Sequence, residues 1–234
     1  AIINSRIKNI SKIKKNLKNK KIKTILFGNS DIYFKKKSKY YELKILKKNY
    51  KINQLKLTTP IELENLECAI SCCLSAGIKV NSIIKVLDKI SNPPGRLQKL
   101  YYKKKDSTII IDYAHTPDAL KKILISEKKE NKKPNILFGC GGNRDVYKRK
   151  VMGKIASKYG SKVYITDDNP RFEDPSKIRK DILRYCSKAI EIPNRKKAIQ
   201  FAINALLKND VLIIAGKGHE KFQIIKNKFI NFDD

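Results

Sequence analysis

From Arg96 onward the chain alternates short apolar runs with helix-length amphipathic segments, and this alternation limits the possible folds more than any other feature. Thr108–Asp112, Asn135–Gly139, Lys162–Thr166, Ala189–Ile192 and Asp210–Ala215 read as strands. Pro117 to about Lys129, Lys148–Tyr159, Pro175–Ser187 and Arg195–Lys208 read as helices between them. Strands apolar at nearly every position are buried on both faces, so helices must cover both sides of the sheet. The expected fold class is α/β, a Rossmann-like, mostly parallel sheet with flanking helices. Phe222–Ile225 and Phe229–Phe232 read as a closing hairpin around Asn227.

Asn92-Pro93-Pro94-Gly95 interrupts the pattern and sets a boundary. Two domains are expected, 1–94 and 95–234. In the first, Thr24–Gly28 reads as a buried strand, and Tyr40–Leu46 with Tyr50–Leu57 as a hairpin. Leu63, Leu66, Ala69, Ile70, Cys73 and Leu74 recur at helical spacing over residues 62–76, with Gly77 as the stop. Val80–Ile90 is expected to form a second, shorter helix.

In a parallel sheet, ligands bind beyond the carboxyl ends of the strands. Those positions carry Asp112-Tyr113-Ala114-His115-Thr116-Pro117-Asp118, Gly139-Cys140-Gly141-Gly142-Asn143-Arg144-Asp145, Asp167-Asp168-Asn169-Pro170-Arg171 and Gly216-Lys217-Gly218-His219-Glu220. Both histidines of the chain fall in this set. Each cluster has a plain structural reading as well. Gly139–Gly142 is either a tight turn or a nest of N–H groups facing an anion. Asp167–Pro170 is either a capped turn or part of a zwitterion site completed by Arg171. Gly216–Glu220 is either a flexible turn or a place for Glu220 to take a ligand ammonium. Convergence on one sheet edge favours the functional reading.

The net charge of +31 raises nucleic acid as a partner. Of the 53 basic residues, however, 45 are Lys and eight Arg, spread through every segment. Abundant Ile and Asn accompany them, the pattern of an AT-rich genome. Specific nucleic-acid surfaces add Arg and aromatics, so no specific nucleic-acid partner is expected. No run approaches the roughly 18 apolar residues of a membrane span, and no signal peptide is evident at Ala1–Ser5. The five Cys lack metal-ligand spacing. Cys68, Cys72 and Cys73 are expected to be small buried hydrophobes in a reducing cytoplasm.

Taken in order and spacing, Gly95-Arg96 and the four strand-end clusters resemble the C-terminal domain of the Mur ligases, most closely the members that add meso-diaminopimelate to UDP-N-acetylmuramoyl-L-alanyl-D-glutamate. Asn65-Leu66 and the helix after it resemble the end of that family's central ATP-binding domain, so residues 1–94 would be the C-terminal part of it. The resemblance implies ATP-dependent amide-bond formation with ATP as co-substrate and Mg²⁺. ATP phosphorylates the acceptor's carboxylate, and the amine of diaminopimelate then attacks the acyl phosphate. It assigns Asp168, Asn169, Pro170 and Arg171, with Arg144, Gly216 and Glu220, to diaminopimelate. Arg171 would pair with the carboxylate that lysine lacks. Asn65, Arg96, Asp112 and His115 are assigned to the nucleotide side, and no residue to a metal.

The sequence departs from the family at three points. No GxxxxGK[ST] loop occurs among the 234 residues. Neither the UDP-sugar domain nor the family's modified lysine is present. Glu62 stands where many relatives have Asn. The chain, which opens on Ala1 and stops at Asp234, is therefore expected to be a truncated, inactive piece of a cytoplasmic, monomeric ligase acting on small molecules. The alternatives are a lysine-adding relative, a folylpolyglutamate synthase or, at a distance, a basic nucleic-acid-binding module.

Overall fold

A computed structural model describes residues 1–129 and 132–234. The chain divides into two units, Ala1–Asn92 and Pro93–Asp234. The first holds β1 (Ile2–Asn4), α1 (Ile10–Asn19), β2 (Ile25–Phe27), β3 (Ile32–Lys36), β4 (Tyr41–Ile45), β5 (Lys48–Ile52), α2 (Pro60–Ser75) and α3 (Val80–Ile84). Its strands form one sheet in sequence order; β1, β2 and β3 run parallel, and β3, β4 and β5 antiparallel. One face of α2, with Leu66 and Ile70, joins Phe27, Ile32, Leu43 and Ile45 in a single core. Thr59 and Glu62 start α2 with a reciprocal capping box.

Several expectations for this unit need revision. The second helix ends at Ile84 and continues only as turns. The hairpin is shorter than expected, its second strand ending at Ile52. Cys72 is exposed, and Cys68 and Cys73 are half-buried. The face of α2 that carries Leu66 and Ile70 seeks the core, and Cys72 lies outside that stripe.

The second unit contains β6 (Gln98–Tyr102), β7 (Ser107–Asp112), α4 (Pro117–Ser126), β8 (Asn135–Phe138), α5 (Tyr147–Tyr159), β9 (Val163–Ile165), α6 (Pro175–Leu183), β10 (Ile190–Glu191), α7 (Arg195–Asn204), β11 (Val211–Ala215), β12 (Phe222–Ile225) and β13 (Lys228–Asn231). The six-stranded sheet has the order β10-β9-β8-β11-β7-β6, parallel except for the antiparallel edge strand β6. Side chains alternate across it. Ile109, Leu137, Tyr164, Leu212 and Ile214 meet Ala198, Ala202 and Leu206 of the α7 region on one face. Ile110, Ile136, Phe138, Ile165 and Ile213, of opposite parity and also buried, meet the face covered by α4–α6. This accounts for strands buried at every position, as in β8, β9 and β11. Because β11 enters between β7 and β8, the chain leaves those two strands on either side of it. A crevice results at their carboxyl ends.

Candidate functional site

Loops from four strand ends line a cleft of about 440 Å³ in the second unit. Tyr113, His115 and Thr116 follow β7, and Gly139, Gly141, Arg144 and Asp145 follow β8. Asp168, Asn169 and Arg171 follow β9, and Gly216 and Glu220 follow β11. The cleft therefore gathers six of the seven residues expected at an amino-acid site. Pro170 does not line it and instead accepts the Glu173 N–H at 3.1 Å through its carbonyl. His115, expected on the nucleotide side, lines the same cleft.

The two loops that carry the arginines are knitted together. Gly142 N–H donates to Asn169 O at 2.9 Å, and Asn143 N–H donates to the Glu173 carboxylate. Phe172 N–H returns a bond to Asn143 Oδ1 at 3.0 Å. A Cβ on Gly142 would lie 2.0 Å from Pro170 O, so only glycine permits this approach. One N–H group of the expected nest, that of Gly142, and the next along the chain, that of Asn143, are therefore already spent on protein acceptors. Positive charge comes from side chains instead. Arg171, at φ 51°, donates through Nη1 to Gly142 O at 3.0 Å. Among the described residues that leaves Nε and Nη2 without a protein acceptor, a free pair of the kind that binds a carboxylate bidentately. Arg144 is exposed and makes no protein hydrogen bond among the described residues, and Lys148 adds a third cation to the lining.

Beneath this loop pair lies Arg149 of α5, 1% exposed, bonded to Glu173 at 2.8 Å and Asp181 at 3.1 Å. Partial burial alone would raise the Glu173 pKa, but bonds from Arg149 and Asn143 N–H hold it below the usual carboxylate range. Cys140, inside the loop, is pushed up to about 12 by burial and is an inert thiol.

The opposite wall carries the negative charge. Asp168, 8% exposed, accepts Asn169 N–H at 2.7 Å. Gly216, at φ 114°, passes so close that a Cβ would sit 2.8 Å from Asp168 Oδ2. Asn169 Nδ2 donates to Glu220 at 3.0 Å. Lys217, fully buried, reaches Asn169 Oδ1, Glu220 and Phe222 O.

Arg96 and Asp112 are not part of the cleft lining. The Arg96 guanidinium lies 4.3 Å from the centre of the Tyr113 ring, and His115 and His219 pack on that ring at 4.5 and 5.1 Å. Asp112 accepts Leu97 and Ala114 N–H, each at 2.8 Å. Burial raises its pKa, against the pull of those two bonds and Arg96. Asn65 belongs to the first unit, exposed on α2. Glu62, 5% exposed, is held by Thr58 and Thr59 N–H and by Asn92. Burial would raise its pKa, but these bonds bring it below the usual range.

Residues 95–218 match the family described as "Mur ligase, glutamate ligase domain". The chain belongs to the Mur ligase family. Among its relatives, the UDP-N-acetylmuramoyl-L-alanyl-D-glutamate--2,6-diaminopimelate ligase of Rickettsia typhi is 40% identical over 246 residues, covering 100% of this chain and 49% of that protein. The enzyme of the same name from Anaplasma marginale is 45% identical over 176 residues, covering 74% of this chain and 36% of its own length. A solved structure of a ligase of that name aligns with a TM-score of 0.58 at 28% identity, over 100% of this chain and 50% of that one. This Mur ligase chain thus spans about half the length of the curated relatives it matches.

Among the described residues of the Mur ligase chain, no helix is long and apolar enough to cross a membrane. No three His, Cys, Asp or Glu side chains among them converge as a metal-ligand set. Sequence reasoning missed Lys217 and Arg149 as site-building residues. In a chain with 45 Lys, another Lys carries no signal, and Arg149 lies on a helix, outside every strand-end cluster.

Proposed function

We propose that the cleft is the pocket for the incoming amino acid of a ligase that joins meso-diaminopimelate to UDP-N-acetylmuramoyl-L-alanyl-D-glutamate. The observation that carries this reading is the opposition of charge across one cleft, with Arg144 and the free edge of Arg171 on one wall and Asp168 and Glu220 on the other. Diaminopimelate has an amino-acid group at each end. Glu220 and Asp168 suit an ammonium, Arg144 suits one carboxylate and Arg171 the second. Lysine would leave Arg171 unmatched.

In this reading residues 95–234 are the family's C-terminal domain and residues 1–94 the end of its central ATP-binding domain. ATP supplies the phosphoryl group that activates the acceptor carboxylate. Arg96, Asp112 and His115 beside Tyr113 are the second unit's residues for the nucleotide side, and Asn65 is the first unit's. The residues in hand do not form a Mg²⁺ site by themselves, and no step is assigned to that ion. Ligation belongs to the whole cytoplasmic enzyme, because no GxxxxGK[ST] loop lies among these 234 residues.

Calorimetry on the 234-residue protein tests the pocket. meso-Diaminopimelate should bind, and L-lysine should bind at least tenfold more weakly. Arg171→Ala should weaken diaminopimelate about 30-fold, the loss of one charge-assisted pair of ~2 kcal/mol, and leave lysine unchanged. Equal affinity of the wild type for both ligands would sink the assignment.

A further inference from the structure

Lys217 has no place in the ligand contacts just described, yet no lysine in the chain is more completely enclosed. It follows Gly216 at the end of β11, and its residue exposure is 0%. A buried ammonium is costly unless its donors are met. Here three acceptors surround it: Phe222 O at 2.5 Å, Asn169 Oδ1 at 3.3 Å and Glu220 Oε2 at 3.4 Å. The first is backbone at the start of β12. The other two belong to side chains of the cleft wall.

The bonds leave Asn169 only one orientation. Its oxygen takes Lys217 and Ile224 N–H, the latter at 3.0 Å, so its nitrogen must point to Glu220. Glu220 Oε2 then receives both the Asn169 amide and the Lys217 ammonium, while Oε1 has no protein donor among the described residues. One oxygen is held and the other is left for a ligand. The ammonium also offsets the negative charge of the half-buried Glu220.

We propose that Lys217 is a positioning residue of the amino-acid pocket, a buried strut that sets the amide orientation of Asn169 and the presented oxygen of Glu220. The proposal rests on the pocket reading above. It also makes Lys217 specific in kind: a neutral side chain of similar length could fill the space but could not bridge three acceptors.

The test uses the wild-type 234-residue protein and the variants Lys217→Met, Asn169→Ala and the double variant. In the wild type, NMR should show Lys217 ammonium and Asn169 amide protons exchanging at least tenfold more slowly than those of surface lysines and asparagines. Lys217→Met should weaken meso-diaminopimelate about 30-fold and speed Asn169 amide exchange. If Lys217 acts through Asn169 and Glu220, the double variant should bind within about twofold of Asn169→Ala alone. A role in bulk packing would instead give additive losses, and that result overturns the proposal. Should Lys217→Met fail to fold, the wild-type exchange decides: an ammonium exchanging like a surface lysine overturns the strut. A wild type that protects this ammonium but binds no diaminopimelate overturns the substrate reading and leaves the strut standing.

Discussion

The two units treat buried charge in opposite ways. In Pro93–Asp234 the buried ions, Asp168 excepted, come in sets of opposite sign. Arg149 lies between Glu173 and Asp181, Lys217 beside Glu220, and Arg195 against Asp234 at 2.6 Å. In Ala1–Asn92 the buried acids are Glu62 and Glu67, and Glu67, 1% exposed, has no ion pair among the described residues. One of its oxygens accepts Phe34 N–H at 2.8 Å, and the other has no hydrogen-bond partner among the described residues. Burial, the largest influence, pushes its pKa up to about 7. Paired charge makes a unit sensitive to deletion of either partner, whereas lone buried charge makes it sensitive to protons.

That contrast is most easily broken at Arg149. Arg149→Met leaves two carboxylates facing a space built for a guanidinium and should cost roughly 3–5 kcal/mol. Hydrogen exchange should show the lost protection in β8, β9 and β11, with β3 and β4 little changed. Equal loss in both units would end the comparison.

The next effect should lie in the first unit. The folded pKa of Glu67 exceeds that of the unfolded chain, near the ordinary carboxylate value. The native state therefore holds a proton that the unfolded state has released between those two values. Stability should fall as pH rises from about 4.5 to about 7 and level off above, by about 3 kcal/mol in all. Denaturant titrations from pH 4.5 to 8 should show this decline, and Glu67→Gln should flatten it. A first unit whose stability rises over that range would contradict the assignment. The smallest change should come from Thr59→Ala, which removes half of the capping box and should cost the first unit about 1 kcal/mol, read as earlier exchange in the first turn of α2.

The parts legible in the sequence were those written in hydrophobic period and in rare residue types. The second unit announced itself because β8, β9 and β11 are apolar at nearly every position and the helices between them are not. Its cleft was legible because Gly, His, Asp and Arg are scarce enough to stand out at strand ends. The first unit was harder to read. β1 is only three residues long, and no residue of α1 is fully buried, so the stripe of Ile10, Ile13 and Leu17 is lost among lysines. The nest at Gly139–Gly142 could not be judged from sequence either. Whether an N–H is free depends on which carbonyl of another loop it meets, here Asn169 O.

The approach of Gly142 to Pro170 O bears on how specificity can change in such proteins. Arg144 and Arg171 belong to separate segments, but the contact between their loops leaves no space for either to be redrawn alone. Grafting the 167–173 segment of a lysine-adding relative onto this scaffold would bring foreign curvature against the glycine loop. A workable transplant would move both loops with Glu173 and its partner Arg149, as one inherited cassette.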